Sequence, residues 1–360
     1  MAAIQAYGLT DVGRKRKHNE DAFAMDVTEG LFIVADGMGG HAAGEVASKI
    51  TVETIGEFIA ATRQKEEATW PFKYNHELDF NSNRLAVAIE KANERVMAAV
   101  AAQPWLKGMG TTVVAGLLNE KIISLAHVGD SRAYLFRDGQ LSRLTDDHSW
   151  VHEQVTAGIL TEEEAKTHPL KNVVTRALGG GPSVSPDLQE LVFSPGDRFL
   201  FCSDGLTTMV PNEVILDLVE RNRADMDKAL HALVSAAYKG GGEDNITVVA
   251  FEIAEEALAS DGDTREQVLP DDEDTLTEVD GVPAVESEVE PVEDGPARER
   301  VSGDTMVVPV AAIQARVAEE EEAQERKVRR RHLRRRILAW LALLLIVAAV
   351  GLVLYLRFVR

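Results

Sequence analysis

Cysteine is almost absent from this 360-residue sequence. The single thiol, Cys202, excludes a disulfide framework within the chain and every cysteine-rich zinc or iron–sulfur site, and it suits a reducing compartment. Positive charge is in deficit: the formal net charge is -21, which argues against nucleic acid as a partner because a phosphate backbone needs a basic face. No segment repeats at a fixed period, which excludes solenoids and propellers. What the chain does have is 45% hydrophobic and 27% charged residues, enough to bury one or two sizeable cores.

The charge deficit is unevenly spread. Residues 254–325 hold 23 acidic residues against 4 arginines and contain no Cys, Trp, Tyr or Phe, the composition of a solvated, self-repelling linker. As a coil, its 72 residues reach on the order of 50 Å. Within it, DEDTLTEVD sets Thr275 and Thr277 among acids, where plain linker is the simpler reading and phosphorylation the alternative. Residues 326–360 hold 10 basic residues and no acid, which leaves 1–253 as an acidic domain of net charge -12. From Ile337 to Leu356 the chain runs 20 residues without a charge, about the 30 Å thickness of bilayer hydrocarbon at 1.5 Å per residue. Trp340 and Tyr355 stand near its ends, and the basic block 326–336 precedes it while only Arg357 and Arg360 follow in the tail 357–360. This bias predicts a single-pass cell-membrane protein with everything before the span in the cytoplasm, the basic block meeting anionic lipid. The opening MAAIQAYGLTDVGRKRK lacks the apolar stretch of a secretory leader.

In residues 1–253, β-rich runs bounded by turns occur at 31–37, 111–119, 122–130, 132–136, 198–205 and 245–253, and helical periodicity at 44–62, 83–102, 150–159 and 224–238. Strands follow one another rather than alternating with helices, so the prediction is α+β with mainly antiparallel sheets and helices packed outside. Four aspartates sit where apolar runs end: Asp36 after LFIVA, Asp130 after LAHVG, Asp204 after FLFCS and Asp244 before NITVVAFEI. One Asp-Gly is usually a turn, but four such positions with Glu20 and Asp21 point to an all-oxygen site for hard divalent ions such as Mg²⁺ or Mn²⁺.

Six motifs then fall in order: GRKRKHNED (13–21), ADGMGGH (35–41), GMGTT (108–112), HVGDSR (127–132), CSDGL (202–206) and EDNITVV (243–249). Together they resemble the bacterial branch of the type 2C, metal-dependent serine/threonine protein phosphatases over roughly residues 5–253. The resemblance implies a four-layer α-β-β-α sandwich of two antiparallel sheets, with a cleft at one end holding two Mn²⁺ or Mg²⁺ ions, and in bacterial members a third. Carried over, Asp36 is the bridging carboxylate and Gly37 offers its carbonyl to the same pair. Asp204 and Asp244 complete the first ion's carboxylates, Glu20 serves the second directly or through water, and Asp21 stands behind. Asp130 with Asp204 matches the third site. Arg16 resembles the guanidinium that clamps the substrate phosphate, as a planar fork suits a tetrahedral oxyanion. His41 is a candidate general acid, although the eukaryotic branch has its histidine directly after Asp-Gly, where this chain has Met38.

The reaction so implied is hydrolysis of phosphoserine and phosphothreonine in proteins by a metal-activated water, opposing a serine/threonine kinase at the membrane. Residues 146–185 resemble the variable flap beside the cleft, with Thr161 and Glu164 as a capping box. Other hydrolase chemistries find no support. There is no G-x-S-x-G, and the sixth residue after Cys202 is Thr208 where a cysteine phosphatase needs arginine. The alternative from another class is a membrane-tethered pseudophosphatase or scaffold that binds phosphoproteins without turnover.

Overall fold

The computed structural model describes residues 4–39, 43–63 and 73–254, with the backbone of 306–307. The remainder of the tether 254–325, the basic block, the apolar run 337–356, the tail and His41 lie outside the described residues. Among the described residues no helix is long and apolar enough to cross a membrane.

Two sheets stack face to face. The first orders its strands Ile4–Asp11, Ile246–Ile253, Arg198–Cys202, Arg132–Arg137 and Gln140–Arg143. The second runs Asp187–Val192, Ile122–Val128, Val113–Leu118, Leu31–Met38 and Asp21–Asp26, with Gly110–Thr111 pairing the end of Leu31–Met38. Every pairing within these sheets is antiparallel. Met306–Val307 lies parallel to Val173–Val174. Helices Ala43–Thr62 and Phe80–Ala102 cover the outside of the second sheet, and Asn212–Arg221 and Met226–Gly240 the outside of the first. This is the expected α-β-β-α sandwich of antiparallel sheets.

Strand alternation explains the layering. Leu31–Met38 is buried on both faces: Ile33 and Ala35 meet the helices, while Phe32 and Val34 enter the layer between the sheets. In Ile246–Ile253, Val248 and Ala250 face the helices, and Val249 and Phe251 face inward. Phe251 is the hub of the inner layer, stacked on Phe32 with ring centroids 3.8 Å apart and touching Phe199 and Phe201 at 5.0 and 5.5 Å.

The helix starts are chemically specified. Asp79 accepts from the Asn81 N–H at 3.0 Å and Asp225 from the Lys228 N–H at 3.0 Å. In the flap, Thr161 Oγ1 accepts from the Glu164 N–H at 3.2 Å and Glu164 Oε2 from the Thr161 N–H at 2.9 Å, the capping box expected from the sequence. Thr161→Ala is expected to speed amide exchange over residues 162–167 about fivefold and leave the domain's melting temperature unchanged. Exchange mass spectrometry of the flap peptide checks this.

Several elements differ from those expected. The helix expected over 150–159 ends at Thr156. The strand expected over 111–119 breaks at Thr112, whose hydroxyl is engaged by the Asp36 N–H and Ser131. Strands Ile4–Asp11, Asp21–Asp26 and Asp187–Val192 and helix Asn212–Arg221 were not expected.

Candidate metal centre

The carboxylates gather where the inner strands run out. Asp36 lies on the same strand face as Phe32 and Val34, so it carries the inter-sheet surface past the end of the apolar core. Asp21 is its cross-strand partner. Asp204 begins the helical turn after Arg198–Cys202, Asp244 stands two residues before Ile246–Ile253, and Asp130 follows Ile122–Val128. Two antiparallel sheets that end together therefore collect residues some 200 positions apart.

Hydrogen bonds fix the frame around them. The Asp36 N–H donates to Thr112 Oγ1 at 3.1 Å, and its carbonyl accepts from Thr111 Oγ1 and the Thr112 N–H, both at 2.9 Å. Asn245, 3% exposed, staples the 12–20 loop: its Nδ2 donates to the carbonyls of Val12 and His18 at 2.9 and 3.0 Å, and its Oδ1 accepts from the Glu20 N–H at 2.8 Å. The Glu20 carbonyl accepts from Ser48 Oγ at 2.6 Å and from the Gly37 N–H at 3.1 Å. Gly37 must be glycine here, since a Cβ would stand 2.2 Å from the Gly44 carbonyl oxygen and 2.3 Å from that of Glu20. Ser203 Oγ donates to Asp21 Oδ2 at 2.9 Å and accepts from the Thr247 N–H at 3.0 Å.

What the frame leaves unsatisfied is informative. Asp21 Oδ1, Asp130 Oδ1 and Asp204 Oδ1 are buried without a hydrogen-bond partner among the described residues, and of such oxygens only Thr51 Oγ1 lies elsewhere. Burial pushes the Asp36 carboxyl well above its usual range, and Asp21, Asp204, Asp244 and Asp130 add to the rise. Asp204 is driven well up by burial and by Asp130, Asp244 and Asp21. Burial and Asp147 raise Asp130 to about 7, while burial, against hydrogen bonds from Thr247 and Ser203, raises Asp21 to about 6. So many buried carboxylates cannot all ionise together unless a cation compensates them. Oxygen donors only, several of them charged, fit hard divalent ions of the Mg²⁺ or Mn²⁺ kind. The residues present therefore fit the metal centre implied by the sequence.

Arg16 stands beside the cluster, its Nη2 donating to Asp244 Oδ2 at 2.7 Å. It thus pairs with a candidate ligand while lining the adjoining cavity, which has a volume of about 310 Å³ and is also bordered by Asp204 and Asp244. Cys202 is buried in its strand and its thiol is pushed up to about 12, which removes it as a nucleophile.

The residues 12–238 match the protein phosphatase 2C family. The chain belongs to that family. It is 39% identical over 250 residues to the serine/threonine phosphatase stp of Listeria welshimeri, covering 68% of this chain and 93% of that one. The serine/threonine phosphatase PstP/Ppp of Mycobacterium tuberculosis superposes with a TM-score of 0.62 at 35% identity, over 70% of this chain and 99% of the other. A structure of the PstP catalytic domain in complex with two manganese ions superposes with a TM-score of 0.60 at 35% identity, over 70% and 99% of the two chains.

A second cluster escaped the sequence reading. Among the described residues, His127, His148 and Asp187 bring potential ligand atoms within 4.8 Å of one another. Unlike the partnerless oxygens of Asp21, Asp130 and Asp204, the polar atoms of these groups are engaged with the protein. His148 Nδ1 accepts from the Gly129 N–H at 3.0 Å and its Nε2 lies 3.1 Å from Asp187 Oδ2; His127 Nε2 lies 2.8 Å from the Asp146 carbonyl, and Arg176 pairs with Asp187. The two rings stack at 4.5 Å. This network anchors the flap to the turn that bears Asp130, and sequence spacing of 21 and 39 residues gave no signal of it.

Burial, with His127 and Arg176 nearby, lowers His148 to about 4. The folded state therefore keeps it neutral, whereas the unfolded chain takes up a proton below its ordinary value of 6.5. The contribution is present above pH 6.5 and lost as the pH falls toward 4, by up to roughly 3 kcal/mol. Urea unfolding of wild type and His148→Gln at pH 7 and pH 4.5 checks this: the gap between them should narrow in acid.

Proposed function

We propose that the chain hydrolyses phosphoserine and phosphothreonine in proteins, using divalent ions held by Asp36, the Gly37 carbonyl, Asp204, Asp244, Asp130 and Glu20. The observation that carries the reading is the set of buried aspartate oxygens without hydrogen-bond partners among the described residues, in carboxylates that raise one another's pKa beside an open cavity, in a chain of the protein phosphatase 2C family. Two ions of the manganese kind, when bound, supply Lewis acidity that activates water and neutralises phosphoryl oxygens. The chain's own residues do the rest. Asp36, fixed through its backbone by Thr111 and Thr112 and raised by burial and by the neighbouring charges of Asp21 and Asp204, would serve both ions. Asp21 is oriented by Ser203 from behind. Arg16 presents a planar fork at the cavity edge for the phosphate of the substrate, and the Asp244 pairing keeps that fork beside the centre. Leaving-group protonation by His41 stays part of the proposal.

The sequence supports a location as well. The apolar run 337–356 behind the basic block 326–336 would anchor the enzyme in the cell membrane with its domain 1–253 in the cytoplasm, on the acidic tether. There it would reverse a serine/threonine kinase. Removal of residues 326–360 should move the protein from the membrane fraction to the soluble one. The hydrolase reading is tested with the full chain in detergent: turnover of a phosphothreonine peptide should require added Mn²⁺ or Mg²⁺ and stop with chelator. Metal and peptide binding without turnover would turn the reading to the pseudophosphatase.

A further inference from the structure

The cavity beside the metal centre is lined by lysines from two separate segments that the hydrolytic reading does not use. One segment is the turn after Ile4–Asp11, where Arg14, Lys15, Arg16 and Lys17 follow one another on a domain whose net charge is -12. The other is the flap turn that carries Lys171. Lys15, Arg16 and Lys171 line the cavity together with Asp204, Glu243 and Asp244. Once the two aspartates are spent on cations, three positive groups face one carboxylate there.

Both segments are held in place. The Arg14 and Lys15 N–H groups donate to the Gly242 carbonyl at 2.8 and 3.2 Å, and the Arg14 guanidinium lies over the Tyr238 ring at 5.4 Å from its centroid. Gly13 turns the chain with φ 78, where a Cβ would stand 2.1 Å from the Asp244 carbonyl oxygen, so the basic turn is locked to the strand that follows Asp244. In the other lining segment, the Lys171 N–H donates to the His168 carbonyl at 3.1 Å. The His168 ring stacks on Trp150 at 4.7 Å, and Val174 is fully buried. The lysine side chains are exposed while their backbones are fixed.

We infer that Lys15 and Lys171 select substrates whose phosphorylated residue is flanked by aspartate and glutamate. This rests on the hydrolytic reading above and names the substrate class of the same site. An extended peptide advances about 3.3 Å per residue, so side chains two or three positions from the phosphoresidue pass roughly 7–10 Å from it, within reach of both segments. The remainder of the domain repels an acidic peptide, and at a Debye length of about 10 Å only the local basic rim attracts it, which makes the preference short-ranged and salt-sensitive.

The chain's own segment VLPDDEDTLTEVDG (268–281) supplies a probe. A synthetic peptide of that sequence phosphorylated on Thr275 is compared with one in which every Asp and Glu is Lys, using the full chain in detergent with Mn²⁺ at about 0.1 M salt. The ratio of kcat/KM, acidic over basic, is expected to be about tenfold or more, as two exposed charge pairs allow. In Lys15→Glu/Lys171→Glu the ratio should fall below one, and in Lys15→Ala/Lys171→Ala it should approach one, with melting curves confirming folded protein. Equal turnover of the two peptides by wild type, or an unchanged ratio in both double variants, overturns the inference and leaves the hydrolase intact. Absence of turnover on either peptide and on p-nitrophenyl phosphate overturns the hydrolytic reading itself.

Discussion

Asp36→Asn is expected to lower phosphatase turnover about a thousandfold or more while leaving the metal-free domain at least as stable as wild type. The two halves of this result have one cause. Asp36 is buried among Asp21, Asp204, Asp244 and Asp130, and each of them opposes its charge. Without cations, replacing a carboxylate with an amide of the same shape relieves that repulsion, so the melting temperature in chelator should stay level or rise. With cations the balance should reverse, because the carboxylate proposed to serve both ions has gone. Wild type should gain several degrees on saturation with Mn²⁺, since a ligand at 100 times its dissociation constant adds about 2.7 kcal/mol. The variant should gain little or none. Paired melts with Mn²⁺ and with chelator, beside the peptide assay, read both quantities. A variant that keeps turnover, or one that melts far lower in chelator, would sink the role given to Asp36.

Phe251→Ala is expected to cost about 4 kcal/mol of unfolding free energy. The ring is fully buried between the sheets, stacked on Phe32 and in contact with Phe199 and Phe201. Its removal leaves a cavity bounded on both sides by strands, which cannot close over it without shifting the register of two sheets. Phe251→Leu keeps most of the volume and should cost only about 1–2 kcal/mol. Urea unfolding followed by tryptophan fluorescence distinguishes the two. Equal costs for Ala and Leu would mean that the layer between the sheets collapses freely and that Phe251 is not its hub.

The elements that the sequence made legible and those it hid differ by position in the sheets. The expected runs at 31–37, 122–130, 132–136, 198–205 and 245–253 correspond to strands with neighbours on both sides, whose residues must be apolar on both faces. Ile4–Asp11, Asp21–Asp26 and Asp187–Val192 are edge strands. With one neighbour each and half-exposed side chains, sequences such as DAFAMD and DLQELV carry too few apolar residues to stand out. In Asn212–Arg221, a short VIL run (214–216) three residues after Pro211 does not separate helix from strand by pattern alone.

At the site, residue chemistry and tertiary arrangement contributed different things. The sequence by itself determined which residues could do the work: aspartates placed where apolar strands end have no bland use in such number, and six motifs in order resemble one family. It determined the partition of charge too, because composition is local and needs no fold to be read. Only the tertiary structure decided that Asp36, Asp130, Asp204 and Asp244 meet, that Asp21 lies among them with an oxygen lacking a partner, and that Asn245 ties the Glu20 loop to the far strand. It alone paired Arg16 with Asp244, joined His127, His148 and Asp187, and brought Lys15 and Lys171 to the lining of one cavity. The physical reason is distance along the chain: these partners are tens to more than two hundred residues apart, and only the closing of two sheets on a shared apolar layer brings them within reach of one another.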